Sequence, residues 1–443
     1  MISIKITNAY ILTMNETFQI IEHGCICIEN DIITYIGDES AVSHLEADTV
    51  IDAQGNLVMP GLINGHTHAA MSIYKGMADD MPLKEWLEHH IFPTESEFCT
   101  KENVETGARL GIMEMIMSGT TCFADMYYFT PTIAEVCKQM GIRALLGQAV
   151  LDFKAPDFDT PVQAIEATQE LIIKYANHSL VKIIPAPHSP YTCSAEILQQ
   201  CRKLANEYTI PLHIHVSETI AEYNTSLATH NLTPVQYLNS LGMFDGKTIA
   251  AHCVYISDED RYILAEKRVH VVNNPQSNMK LVSGISPVPL LLQADIPVCL
   301  GTDSSVSNNS LDMFQEMKVA ALIHKLNQSD ASVLPARDIV YMCTRGAAKV
   351  LGIDHKVGSI EVGKQADIIL VNINQPHLVP LYSIYSHIVY AMQGHDVDTV
   401  IINGAIVYLQ KQFQLVDPIE TMIDAQMIAN AIMQRKSERE QQQ

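Results

Sequence analysis

The chain is short of basic residues, of tryptophan and of long apolar runs. It carries 28 Lys and Arg against 50 Asp and Glu, a formal net charge of −22. A surface of that sign suits neither DNA nor anionic lipid, both of which require clustered cations. No uninterrupted apolar segment approaches the ~20 residues of a membrane-spanning helix. The first ten residues show a single Lys and no small-residue cleavage site after an apolar block, so no secretory signal is expected. The ten cysteines are scattered and include no Cys-x-x-Cys pair, which speaks against a zinc ribbon or a disulfide framework. They are expected to be buried, reduced thiols of a cytoplasmic protein. Repeats and low-complexity stretches are also missing. What is present is a globular composition, 47% hydrophobic and 18% charged over 443 residues, enough to bury a large core. There are also 18 histidines, and these are the residues left to explain.

Both chain ends read as β structure. Stretches 2–6, 24–29 and 32–36 are rich in β-branched residues and are separated by Asn30-Asp31 and Gly37-Asp38, which are turn signals. The pattern returns in 360–363, 366–371 and 397–408, the last with the hairpin dipeptide Asn403-Gly404. The two ends are expected to form one small β-sandwich domain from residues 1–58 and 357–415, with a C-terminal helix and frayed tail over 416–443. Between them, strand-like runs at 58–63, 120–125, 143–150, 181–185, 212–216, 248–251, 269–272 and 298–301 alternate with helical periodicity. Eight such strands predict an α/β fold, a (β/α)₈ TIM barrel over residues 59–356. A doubly wound sheet is the alternative. It carries a glycine fingerprint after its first strand, where this chain reads Gly61-Leu62-Ile63-Asn64-Gly65-His66. The segment 77–98, with Asp79, Asp80, Pro82, Trp86, His89, His90 and Pro93, follows the first barrel strand and is expected to act as a lid over an active site.

Four polar clusters fall at the carboxyl ends of these strands. His66-Thr67-His68 closes the first, and residues two apart on a strand face the same way. Alone, such a pair is equally well two surface histidines. His213-Ile214-His215-Val216-Ser217-Glu218 closes the fifth, His252 the sixth and Asp303 of Gly301-Thr302-Asp303 the eighth. For His252 alone a packed core histidine is the default. Together they stand where a barrel places its catalytic groups, and imidazoles with a carboxylate suit zinc or ferrous iron. Other signals fail. Gly246-Lys247-Thr248 lacks the first glycine of a phosphate loop, Leu241 standing there, and neither a His-Glu-x-x-His motif nor a cytidine-deaminase zinc motif occurs.

The stretches 60–68, 213–218, 251–253, 274–278, 300–304 and 358–367 resemble the amidohydrolase superfamily, in its methylthioadenosine/S-adenosylhomocysteine deaminase and chlorohydrolase branch. The resemblance implies one divalent ion per subunit, usually Zn²⁺ with Fe²⁺ or another metal as the alternative, held by His66, His68, His215 and Asp303. Binuclear members carry a modified lysine after strand four, where this chain has Pro185-Ala186-Pro187-His188, so one ion is expected. The resemblance further implies Glu218, His252 and Asp303 as catalytic residues, and Glu95, His188, Glu218 and Asp303 as substrate-binding ones. From the residues alone Glu95 is a helix-end surface carboxylate and His188 a histidine packed between prolines. The activity implied is hydrolytic deamination of an adenosine-type nucleoside: 5′-methylthioadenosine, S-adenosylhomocysteine or adenosine. One departure bears on the substrate: Leu146-Gly147-Gln148-Ala149 stands where users of S-adenosylhomocysteine carry an arginine. Rival readings are an amidohydrolase of guanine, oxidised purines, pterins or triazines, and a non-catalytic assembly subunit. A small-molecule partner is expected, without nucleic acid or membrane; homo-oligomerisation stays open.

Overall fold

The computed structural model describes residues 2–81 and 85–442. Pro82 of the expected lid and Gln443 of the tail lie outside the described residues. The chain opens with five strands: β1 (Ile2–Leu12), β2 (Ile20–Glu29), β3 (Ile32–Asp38), β4 (Ala47–Asp52) and β5 (Leu57–Pro60). Eight more follow: β6 (Leu62–Thr67), β7 (Thr120–Tyr127), β8 (Arg143–Val150), β9 (Val181–Pro187), β10 (Leu212–Val216), β11 (Thr248–His252), β12 (His270–Asn273) and β13 (Val298–Leu300). The last four are β14 (Ile368–Val371), β15 (Val397–Ile402), β16 (Ala405–Leu409) and β17 (Gln412–Phe413).

The terminal strands do meet. They form one nine-stranded mixed sheet, in which β5 pairs antiparallel with β14 from Leu57 opposite Val371 to Pro60 opposite Ile368. β-Branched side chains from both ends, among them Ile6, Ile26, Val58, Ile368 and Ile401, share one core. The Asn403-Gly404 turn forms as its residues require. Asn403 has φ +52° and Gly404 φ +75°, and a Cβ on Gly404 would stand 2.0 Å from the Asn30 carbonyl oxygen.

Strands β6–β9 and β10–β13 form two four-stranded parallel sheets, each in sequence order. A doubly wound sheet would reverse that order at a switch point, and neither sheet does. The halves are stitched at both seams. His215 N–H donates to the His188 carbonyl at 3.0 Å beside β9 and β10, and Asp303 N–H donates to the His66 carbonyl at 2.9 Å beside β13 and β6. Helices fill the intervals, among them Thr130–Met140, Pro161–Tyr175, Ala195–Glu207 and Asp258–Glu266.

Two expectations need correction. The run 58–63 is two strands, not one: Leu57–Pro60 joins the terminal sheet and Leu62–Thr67 starts the parallel one. The chain turns between them at Gly61, where a Cβ would stand 2.1 Å from the Thr121 side chain. The polar tail expected to fray instead continues the helix Pro418–Gln442. There Arg435 and Arg439 donate to the two oxygens of Glu97, at 2.6 and 2.7 Å. All ten cysteines are unpaired and buried. Among the described residues no helix is long and apolar enough to cross a membrane.

Candidate active site

Every site residue singled out in the sequence comes to one place. His68, Glu95, His188, His215, Glu218, His252 and Asp303 line a single pocket, and His66 lies fully buried beneath it. The strand ends that carry these groups are strained. Ser217, His252 and Asp303 have φ of +53°, +72° and +61°, left-handed values that cost a non-glycine residue about 1–3 kcal/mol. Such strain persists only where surrounding contacts dictate it, and here each sharp exit turns a side chain into the pocket.

The imidazoles are oriented from behind. His68 donates from Nδ1 to the Met126 carbonyl. His215 Nδ1 donates to the His188 carbonyl at 2.7 Å, and His252 Nδ1 lies 2.9 Å from Asn278 Oδ1. These bonds put the protons on Nδ1 and leave the Nε2 lone pairs facing inward. Asp303 Oδ1 lies 3.3 Å from His68 Nε2 and 3.5 Å from His66 Nε2. Its Oδ2 accepts from Ser277 Oγ at 2.6 Å and Ser307 Oγ at 3.1 Å.

The donor set fits a divalent cation. His66, His68 and Asp303 converge with ligand atoms within 4.8 Å of one another, as do His66, His215 and His252. His66 Nε2 is buried without a hydrogen-bond partner, an uncompensated lone pair that a metal would use. Burial drives His66 down to about 4 and His215 well below its ordinary value, towards the neutral form a ligand needs. Against burial, Asp303 pushes His68 up to about 9, and a bound cation would displace that proton. Burial alone would raise Asp303, but the His66 and His68 imidazoles hold its carboxyl well below the usual carboxylate range. At the base of β9, Lys182 turns away to bond the Ala176 carbonyl, which agrees with the expectation of one ion.

Two carboxylates have opposite electrostatics from Asp303. Glu218 is raised by burial; its Oε2 lies 3.7 Å from His252 Nε2, and its Oε1 accepts from Ser283 Oγ at 3.4 Å. Glu95 is not the surface group its sequence position suggests. It is 5% exposed, pushed up to about 7 by burial, and accepts from Tyr127 Oη at 2.6 Å. His188 is driven down to about 3 by burial, with its Nδ1 3.0 Å from Thr192 Oγ1. From the segment 77–98, residues between 86 and 95 line the pocket. The π-helical turn Trp86–Ile91 and helix Phe92–Phe98 contribute Trp86, Leu87, Ile91, Phe92 and Glu95 to the wall.

Sequence reasoning missed the supporting residues. Ser277 and Asn278 lay inside the 274–278 motif but carried no role, while Ser307 and Tyr127 had no spacing to mark them. Glu222, which accepts from the backbone N–H groups of Ser217 and Glu218 at 2.9 and 2.7 Å, carried no role either. Gly301 is a further support. A Cβ there would stand 2.7 Å from the His66 backbone nitrogen and 2.6 Å from Asn274 Oδ1. Gly301→Ala is therefore expected to cost about 1–3 kcal/mol of stability and to lower bound zinc, read by denaturant unfolding and elemental analysis. A protein with unchanged zinc content would contradict the close-packing argument.

Residues 57–407 match the amidohydrolase family, and the chain belongs to that family. Over 93% of its length it is 41% identical to a 5-methylthioadenosine/S-adenosylhomocysteine deaminase from Thermodesulfovibrio yellowstonii, covering 94% of that protein. It is 42% identical to a 5′-deoxyadenosine deaminase from Methanothermobacter thermautotrophicus, over 90% of this chain and 92% of the relative. Among solved structures it superposes on an adenosine deaminase from Xanthomonas campestris with bound zinc. The TM-score is 0.96 and the identity 32%, over 98% of this chain and 99% of the other. The fold is accordingly a TIM barrel with a small accompanying domain.

Proposed function

We propose that the protein is a metal-dependent aminohydrolase that converts an adenosine-type nucleoside, foremost 5′-methylthioadenosine, to the inosine analogue and ammonia. The observation that carries this reading is one pocket holding a cation-ready His₃Asp cluster, a carboxyl held low by its neighbouring imidazoles and a second carboxyl raised by burial. The names of the two relatives and of the zinc-bound structure reported above, each a nucleoside deaminase, support the substrate class.

His66, His68, His215 and Asp303 would hold the zinc ion, which would supply the lowered pKa that lets a water attack at neutral pH. The remaining work belongs to side chains. Asp303, with Oδ2 fixed by Ser277 and Ser307, presents Oδ1 to accept the proton of the attacking water and later passes a proton to the departing amine. Glu218 donates a proton to the ring nitrogen beside the amino-bearing carbon, and that carbon becomes electrophilic. His252 orients the attacking oxygen. A C–O bond forms, the C–N bond breaks, and ammonia leaves. Two carboxylates in different environments thus divide acid and base duties. Glu95 receives the ribose hydroxyls, and neutral His188 faces the purine.

Among the described residues the pocket lining contains no Lys or Arg, and Gln148, near the place of the family's arginine, is occupied with Asp157 at 3.0 Å. A carboxylate-bearing 5′ substituent therefore finds no guanidinium fork. Since a hydrogen bond to a charged group contributes about 1.5–3 kcal/mol, kcat/KM for 5′-methylthioadenosine should exceed that for S-adenosylhomocysteine by roughly 10–100-fold. Equal values in steady-state assays would contradict this. The wider test is ammonia release from adenosine, 5′-methylthioadenosine, S-adenosylhomocysteine, guanine and aminotriazines. Turnover of the free bases alone would overturn the nucleoside reading, and no turnover with no zinc uptake would favour an assembly subunit.

The same reading divides the chain into a sandwich-like unit of residues 1–58 with 357–415 around the shared core of Ile6, Ile26, Val58 and Ile368, a catalytic barrel over 59–356, and a C-terminal helix and tail within 416–443. The ten unpaired cysteines and the charge of −22 support a cytoplasmic enzyme with no nucleic-acid partner.

A further inference from the structure

The mechanism leaves one histidine at the centre of the site unused. His213 stands two residues before His215 on β10, fully buried, and so projects to the same face one layer deeper. Its Nε2 lies 3.1 Å from Nδ1 of His66, with the rings edge-on at 74° and centroids 4.9 Å apart. Two imidazole nitrogens at that distance share one proton, and only one arrangement leaves His66 useful. If His213 donated, the proton of neutral His66 would sit on Nε2 and block it. If His66 donates from Nδ1, its Nε2 is a free lone pair, and that is the atom buried without a partner beside Asp303.

The other imidazoles of the cluster are backed by oxygen: His68 by Met126, His215 by His188 and His252 by Asn278. His66 is backed by a second imidazole instead. That choice leaves His213 Nδ1 buried without a partner, whereas an apolar side chain would remove that atom from the core but strand Nδ1 of His66 instead. Packing alone therefore gives no reason for a histidine here.

We propose that His213 is a positioning residue for the metal centre, accepting the Nδ1 proton of His66 and thereby holding His66 in the tautomer whose Nε2 can ligate a divalent cation. The inference rests on the reading of His66 as a ligand. Partners of this kind, bonded to the far nitrogen of a ligating histidine, typically govern metal affinity by roughly 10–100-fold. His213 touches neither substrate nor water in this arrangement, so its effect falls on metal affinity before turnover.

The test compares His213→Leu, which removes the acceptor, with His213→Gln, whose amide oxygen can still accept. Zinc affinity of the full-length metal-free protein is measured by competition with a chromophoric chelator, alongside the unfolding midpoint of the same metal-free samples. The Leu variant is expected to bind zinc roughly 10–100-fold more weakly while its metal-free sample still unfolds in a single cooperative transition. The Gln variant should stay within about threefold of wild type, and this holds as a test even if the Leu variant does not fold. Wild-type affinity in the Leu variant, or a loss beyond tenfold in a folded Gln variant, overturns the proposal. His66→Ala separates the two levels. If it keeps wild-type zinc affinity, the ligand assignment itself fails; if it loses zinc while His213→Leu does not, only the role of His213 fails.

Discussion

Glu218→Gln is expected to keep its zinc while kcat on 5′-methylthioadenosine falls by about 10²–10⁴-fold. The amide matches the carboxyl in shape, and Glu218 is not among the groups whose ligand atoms converge on the cation position, so metal content should not change. What disappears is a carboxyl whose proton affinity burial raises and which can hand a proton to the ring. An amide cannot protonate the ring nitrogen, and the carbon under attack stays weakly electrophilic. KM should move little by comparison, because the lost interaction is made mainly in the transition state. Elemental analysis and steady-state kinetics on the same preparation check both halves. Near wild-type turnover in a zinc-replete variant would remove Glu218 from the mechanism.

Asp303→Asn should be more severe, because this residue carries two duties. It supplies the only anionic member of the ligand set and accepts the water proton. Its Oδ2 is clasped by two hydroxyl donors, Ser277 and Ser307, and its Oδ1 accepts the Ser304 N–H at 2.7 Å. An amide nitrogen placed at either end faces a donor that had been satisfied, so the substitution also leaves a buried group unpaired, at about 1–3 kcal/mol. Zinc affinity should drop by more than tenfold, and kcat under saturating zinc by at least about 10²-fold. If the variant recovers full turnover once zinc is raised, Asp303 is a ligand only, and the proton falls to another base.

Much of this was legible in the sequence because the barrel writes its chemistry at strand ends. His66 and His68, His215, His252 and Asp303 each close a β-branched run, and those runs could be counted from their periodicity. The meeting of the chain ends was legible for the same reason. The run 58–63 reads as one strand because apolar residues flank Pro60-Gly61 on both sides, although that dipeptide is a turn signal and the chain does turn there, with Thr121 packed against Gly61. The tail at 426–443 reads as polar and unanchored; its helix is held in part by Arg435 and Arg439 on Glu97, more than 300 residues away in sequence. Glu95 was assigned only through the resemblance, since its burial depends on Tyr127, a partner from a different strand. The supporting hydroxyls Ser277 and Ser307 were invisible because serine is common and nothing local marks one that faces a carboxylate.

The central claim is that metal-dependent nucleoside deamination takes place in this pocket. Its most direct test follows 5′-methylthioadenosine with the zinc-loaded protein, with the same protein stripped by a chelator, and with the stripped protein reloaded. The expected result is one ammonia per inosine-type product in the loaded sample, loss of turnover on stripping and its return with about one zinc per chain. Product formation that survives complete removal of the metal, or a zinc-replete protein that leaves every nucleoside untouched, would contradict the account.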